Sequence, residues 1–268
     1  MTKSTRRDNV FTIMKSPLKS KPLRNPGQSV DEHITDLITD DLIPYFFLAG
    51  TFIVVAILEW QRWATNSPPS PIAFTGMAIV ALLLVVRKMI IVRKKIKALK
   101  IGRDGEKAVG QYLELLRERG AKVFHDIPAE GFNLDHVVID KSGIYAIETK
   151  TFSKPDKGSS SVTYDGEKVL VNGREPDRNP VIQIKSMSAW LRDLLKESTG
   201  KDCKPRPVVV FPGWFVEPTA EARNSDVWVL NPKALPSFIS NSKPQLESDE
   251  VEMLSYHLSR YVRMGKEQ

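Results

Sequence analysis

The chain has one cysteine, Cys203, in 268 residues. A single thiol excludes an intrachain disulfide framework and any multi-cysteine zinc site. Internal repeats and low-complexity tracts are absent, so solenoid and fibrous classes are excluded. A basic excess is absent from most of the chain. The net charge is +7. Residues 1–100 hold 15 Lys+Arg against 7 Asp+Glu, and residues 101–268 hold 24 against 25. The basicity therefore belongs to the first hundred residues, and the overall charge is no argument for DNA binding.

Charge is also absent from two long stretches, residues 42–58 and 63–86. About 20 mostly apolar residues span a bilayer as a helix. Both stretches reach that length if Tyr45, Glu59 and Trp60 sit at interfaces and Arg87 and Lys88 snorkel. Between them Pro68, Pro69 and Pro71 break the helix, bracketed by Trp60 and Trp63. The expectation is a transmembrane hairpin over 42–92, with helices at about 42–60 and 71–92. The basic cluster Arg87, Lys88, Arg93, Lys94, Lys95, Lys97 and Lys100 follows it, against Arg62 alone in the loop. The positive-inside rule then places the N-terminus and the rest of the chain in the cytoplasm, on an inner (cytoplasmic) membrane. The first apolar run starts too late for a cleaved signal peptide. Residues 87–100 are expected to contact anionic lipid headgroups, 1–41 to form a disordered basic tail, and 93–101 a juxtamembrane linker. Two buried helices of a soluble protein are the competing reading. A transport role for the hairpin is disfavoured, because no intramembrane charge offers a pathway.

Residues 102–240 read as one α/β domain, followed by a C-terminal helix within 241–268. A helical period covers Asp104–Gly120. Strands are expected at 121–127, 133–140 and 143–150, with a turn at Lys141-Ser142-Gly143. A hairpin over 161–171 turns at Asp165-Gly166, after a flexible loop at 153–160. A helix over 180–197, strands at 207–211 and 227–230, and a helix over 247–263 complete the order. Residues 143–150 are apolar on both faces, as in a central strand.

Alternation places Ile144, Ala146, Glu148 and Lys150 on one strand face. Asp135 aligns with Val137 and Ile139 on the strand before. If the two strands form a hairpin, Asp135 and Glu148 share one end. Glu106 lies on the inward stripe of the opening helix. Three carboxylates beside one lysine repel one another unless a cation lies between them, and oxygen ligands select Mg²⁺ or Mn²⁺. Lys150 would orient the attacking water or neutralise charge on a phosphate.

The ordered set GRDGE (102–106), FHDI (124–127), NLDHVVID (133–140), GIYAIETK (143–150) and NPVIQ (179–183) resembles the nuclease-related NERD domain of the PD-(D/E)xK nucleases. The resemblance covers roughly residues 100–215. It implies an αβββαβ core with a mixed sheet and a metal-dependent nuclease acting on nucleic acid, taken here as DNA. It implies Asp135 and Glu148 as metal ligands, Lys150 as the catalytic lysine, Glu106 assisting at the metal, and Gln183 orienting substrate or lysine. No proline precedes Asp135; Leu134 stands there. A catalytically inactive, membrane-tethered binding or scaffold module is the alternative. His125 and His136 read as structural, Trp190 and Trp214 as core or groove aromatics, and Cys203 as inert. Lys154, Lys157, Arg174, Arg178 and Lys185 flank the site as candidate phosphate contacts.

Overall fold

A computed structural model describes residues 23–65, 70–153 and 160–264. Three helices open the chain: α1 (Gln28–Thr39), α2 (Ile43–Ala64) and α3 (Pro71–Glu118). Pro44 near the start of α2 and Pro71 at the start of α3 suit helix N-termini, where no N–H partner is lost. Residues 66–69, where the helix break is expected, residues 154–159 of the expected loop, with Lys154 and Lys157, and residues 1–22 lie outside the described residues.

Two expectations fail in this region. The expected disordered tail contains α1 and the segment leading into it. Arg24 there pairs with Asp126 at 2.5 Å. The expected linker at 93–101 is the middle of one 48-residue helix. Lys and Arg are good helix formers, so a basic run between two helical patterns continues the helix rather than breaking it. One member of the basic run, Lys88, is answered by acid, as are two bases that follow the run. Asp41 takes Lys88 at 2.9 Å, and Asp31 takes Arg103 at 2.9 Å and Lys107 at 3.0 Å. Val92, Ile96, Leu99 and Arg103 form the less exposed stripe of α3, and Ile34 and Leu37 the buried stripe of α1. Their spacing is that of two packed helices.

Helices α2 and α3 each contain a stretch long and apolar enough to cross a membrane. Most of each stretch is exposed. Phe47 is 74% exposed and Ile72 82%, while Ala49, Ala56, Ala78 and Ala81 are buried.

The domain follows. Strands β1 (Lys122–Ala129), β2 (Phe132–Asp140) and β3 (Gly143–Thr149) form an antiparallel meander. Two short strands, β4 (Ser161–Tyr164) and β5 (Val169–Val171), make the expected hairpin. Then come α4 (Pro180–Thr199), β6 (Arg206–Val210), β7 (Phe215–Pro218), a 3₁₀ turn at Glu221–Asn224, β8 (Trp228–Leu230), α5 (Leu235–Ser240) and α6 (Ser248–Met264). The main sheet has the order β1-β2-β3-β6-β8, with β6 and β8 joined in parallel, so it is mixed. The small sheet has the order β5-β4-β7; β7 and α5 carry no clear sequence pattern.

Helix α4 starts cleanly: Asn179 Oδ1 accepts from Val181 N at 2.9 Å, with Pro180 next. Left-handed Gly200 ends it. The sheet is covered on both faces. One carries Val137, Ile139, Ile144 and Ala146 against α4 and α6. The other carries Val138, Tyr145 and Ile147 against α3 and α5. Leu254 and Leu258 put the C-terminal helix in the same core as residues 102–240.

Candidate acidic centre at one end of the sheet

The β2–β3 register pairs His136 with Ile147, so Asp135 stands level with Glu148. Both face the α4 side at the C-terminal end of β3. Asp135 Oδ2 accepts from Thr149 N at 2.7 Å. Helix α3 brings Glu106 to the same end. It approaches closely because Gly105 lacks a side chain: a Cβ there would lie 2.0 Å from Thr151 Cγ2. That contact explains the glycine before Glu106.

From α4, Gln183 reaches across to the strand end. Its Nε2 donates to Glu148 Oε1 at 2.8 Å, and its Oε1 accepts from Lys150 Nζ at 2.8 Å. Lys150 Nζ also donates to Glu148 Oε1 at 2.8 Å. Lys150, Gln183 and one carboxylate oxygen thus close a three-membered hydrogen-bond ring. The second oxygen, Glu148 Oε2, is buried and has no partner. A buried carboxylate oxygen without a donor is costly.

The electrostatics agree. Burial, then the Glu148 and Glu106 charges, holds Asp135 well above the carboxylate range. Burial also raises Glu148, although Lys150 and Gln183 pull it down. Glu106 is pushed up to about 7 by burial, Asp126 and Glu148. Such a cluster favours protons or a bound cation. Among the described residues, no three His, Cys, Asp or Glu side chains are grouped closely enough to hold one ion. The three-carboxylate ligand set is therefore not preassembled. Asp135 and Glu148 remain as two carboxylates level with each other on neighbouring strands.

On the opposite sheet face, His125 of β1 pairs with His136 of β2. Its Nδ1 lies 2.9 Å from His136 Nδ1, so one ring donates and the other accepts. Burial holds both rings neutral, His125 at about 4. His136 Nε2 lies 3.3 Å from Thr149 Oγ1, and Thr149 N holds Asp135. The pair buttresses the site from behind.

Asp126 was not legible in the sequence. It stands level with Asp135 on β1, with a left-handed φ of 51°. Asp tolerates that conformation better than most residues. Its carboxylate accepts from Arg24 Nε, Ser29 N (2.9 Å), Ser29 Oγ (2.6 Å) and Asn133 Nδ2 (3.2 Å). Of the flanking bases, Lys185 pairs with Asp226 at 3.2 Å and makes no contact with the centre. Arg174 and Arg178 form no ion pair among the described residues. Trp214 is core, and Trp190 packs on Phe132 and Tyr261.

Residues 101–212 match the family model of the nuclease-related domain, NERD. That match supports a nuclease-related α/β domain over these residues. No curated protein matches the chain. Among solved structures, Pyrococcus furiosus SfsA in complex with Ca²⁺ is 20% identical, with a TM-score of 0.26. The alignment covers 46% of this chain and 52% of that one, so this chain spans about half of its length.

Proposed function

We propose that this chain is a membrane-anchored, cytoplasm-facing, Mg²⁺-dependent nuclease that hydrolyses DNA phosphodiester bonds. The observation that carries the reading is the unpartnered Glu148 Oε2 inside the Asp135–Glu148–Glu106 cluster, beside a lysine already bonded to Glu148. Asp135 and Glu148 would hold Mg²⁺ or Mn²⁺. Such an ion supplies Lewis-acid polarisation of the phosphate and a more acidic water.

The chain's own residues do the rest. Gln183 fixes Lys150 through its carbonyl and Glu148 through its amide, so the ammonium has a defined place. Lys150 is then positioned to stabilise charge developing on a phosphate oxygen. The buried surroundings strengthen that interaction. Helices α2 and α3 anchor the domain: their large apolar side chains face outward, as in a bilayer, and their alanines pack inward. The exit from α3 carries the basic residues expected on a cytoplasmic side, and seven more lie between Lys3 and Arg24.

The test uses the full chain in detergent or nanodiscs, because residues before the hairpin are part of the domain. Supercoiled plasmid, linear duplex, single-stranded DNA and RNA are incubated with Mg²⁺, Mn²⁺ or EDTA, beside Lys150→Ala. Metal-dependent cutting that vanishes in the variant is expected. A folded protein that cuts nothing would instead establish a binding or scaffold module, which the near-neutral charge of 101–268 favours.

A further inference from the structure

The hairpin and the acidic centre are connected by one helix, and its direction decides which end of the domain meets the bilayer. About 20 residues from Pro71 carry α3 to roughly Ile90, near Lys88 and its partner Asp41. From there to Gly105 is a rise of about 20 Å. At that height α3 meets the end of β3: Gly102 and Gly105 both lie against Thr151, and Gly105 also against Thr149. The opposite end of β3, Gly143, is about another 20 Å along the strand. The helix ends on that far side, where Arg119 donates to Ser240 Oγ at 3.2 Å. The acidic centre is therefore at the membrane-proximal end of the domain.

The height is braced. Helix α1 runs back along α3, fastened at both ends. Its far end lies by Asp41 and Lys88, next to the apolar stretch. Its near end is fixed at the site. Asp31 holds Arg103 and Lys107, and Gly27 packs on Arg103, where a Cβ would lie 2.8 Å from Cγ. Pro26 fits over Gly110, where a Cβ would meet its Cγ at 2.7 Å. Arg24 then closes the strap on buried Asp126. Both chain segments that enter the hairpin are thus tied to the same end of the sheet. A two-helix stalk pinned at each end resists the tilt that one helix would allow.

We propose that the acidic centre faces the bilayer across this stalk, so that its substrate is nucleic acid lying at the membrane surface rather than free in the bulk. The inference rests on the anchoring and nuclease readings above.

Full-length protein in vesicles, domain outside, tests it. In a Cys203→Ser background, a fluorescent donor is placed at Asp104→Cys or at Glu118→Cys, with acceptor-labelled lipid headgroups. Along α3 these sites differ in height by about 21 Å. Donor at 104 is expected to lose more of its fluorescence than donor at 118. Equal loss, or the reverse, overturns the proposal. A duplex anchored in the vesicle by one end adds the substrate arm. Cuts are expected within about ten base pairs of the anchor, given a rise of roughly 3.4 Å per base pair. Cuts spread evenly overturn the membrane-surface substrate. The expected transfer without any cutting keeps the orientation and removes the nuclease reading. A chain that does not insert into the vesicles removes the anchoring reading and the inference with it.

Discussion

Asp126 and Glu148 are both buried carboxylates at one end of the same sheet, and they are treated oppositely. Asp126 takes donors from Arg24, Ser29 and Asn133 on both oxygens. Glu148 has two donors on one oxygen and none on the other. The first arrangement is complete and holds the strap to the domain. The second is incomplete, with one buried oxygen left unpaired. A buried acid thus declares its role by how fully it is satisfied, not by its depth.

The sharpest way to break this contrast is to remove Asp126. Asp126→Ala leaves Arg24 with Glu32 alone and takes the acceptor from Ser29 and Asn133. A loss of about 1–3 kcal/mol is expected, read as a lower unfolding midpoint of the full chain. A variant as stable as the parent would show the strap to be incidental. Lys150→Ala addresses the other acid. It is expected to reduce Mg²⁺-dependent plasmid cutting on the order of 10²–10³-fold, with circular dichroism unchanged. Cutting within a few-fold of the parent would remove the lysine from the mechanism.

Acidity separates the two kinds of site further. Glu106 sits at about 7 in the fold against an ordinary 4.5. Its stabilisation is full below pH 4.5 and is lost as pH rises through about 7. His125, held at about 4, acts in the opposite sense. Its contribution is full above pH 6.5 and is lost as pH falls towards 4. The two slopes oppose each other over one window. Glu106→Gln removes the first alone. In metal-free buffer the variant should gain on the parent between pH 5 and 7.5, by no more than about 3 kcal/mol. Parallel stability curves would remove Glu106 from the cluster.

Packing gives an effect of similar size. Gly105→Ala forces a methyl onto Thr151 and should cost about 1–3 kcal/mol and weaken cutting, measured by thermal unfolding and plasmid assay together. The smallest effect tests the element that carries Gln183. Asn179→Ala removes the α4 cap and should cost about 1 kcal/mol, with the cutting rate little changed. A collapse of cutting would mean that the start of α4 is held only by its cap.

Much of the domain was legible along the chain. Alternation marked the three-strand meander, and β3, apolar on both faces, read as central. Asn179-Pro180 announced α4, and Asp165-Gly166 the β4–β5 turn. Short β7 and α5 were not legible, because four to six residues hold too little pattern. Neither was α1: its only apolar stripe is Val30, Ile34 and Leu37, and its purpose is a partner more than 60 residues away. The His125–His136 pair escaped for the same reason, since two strands must meet before the Nδ1 atoms can come within 2.9 Å. Gln183 was reached through the motif's resemblance to a family, and its geometry was not readable from spacing.

By itself, the sequence determined the two uncharged stretches, the mixed α/β order and the residue types of the acidic centre. These depend on periodicity, composition and charge, which are local properties of the chain. Only the tertiary structure decided which acids are satisfied, that the basic run is helix rather than linker, and that residues before the hairpin close onto the site. Those outcomes depend on which distant groups become neighbours. Arg24 and Asp126 lie 102 residues apart in the chain and 2.5 Å apart in the fold.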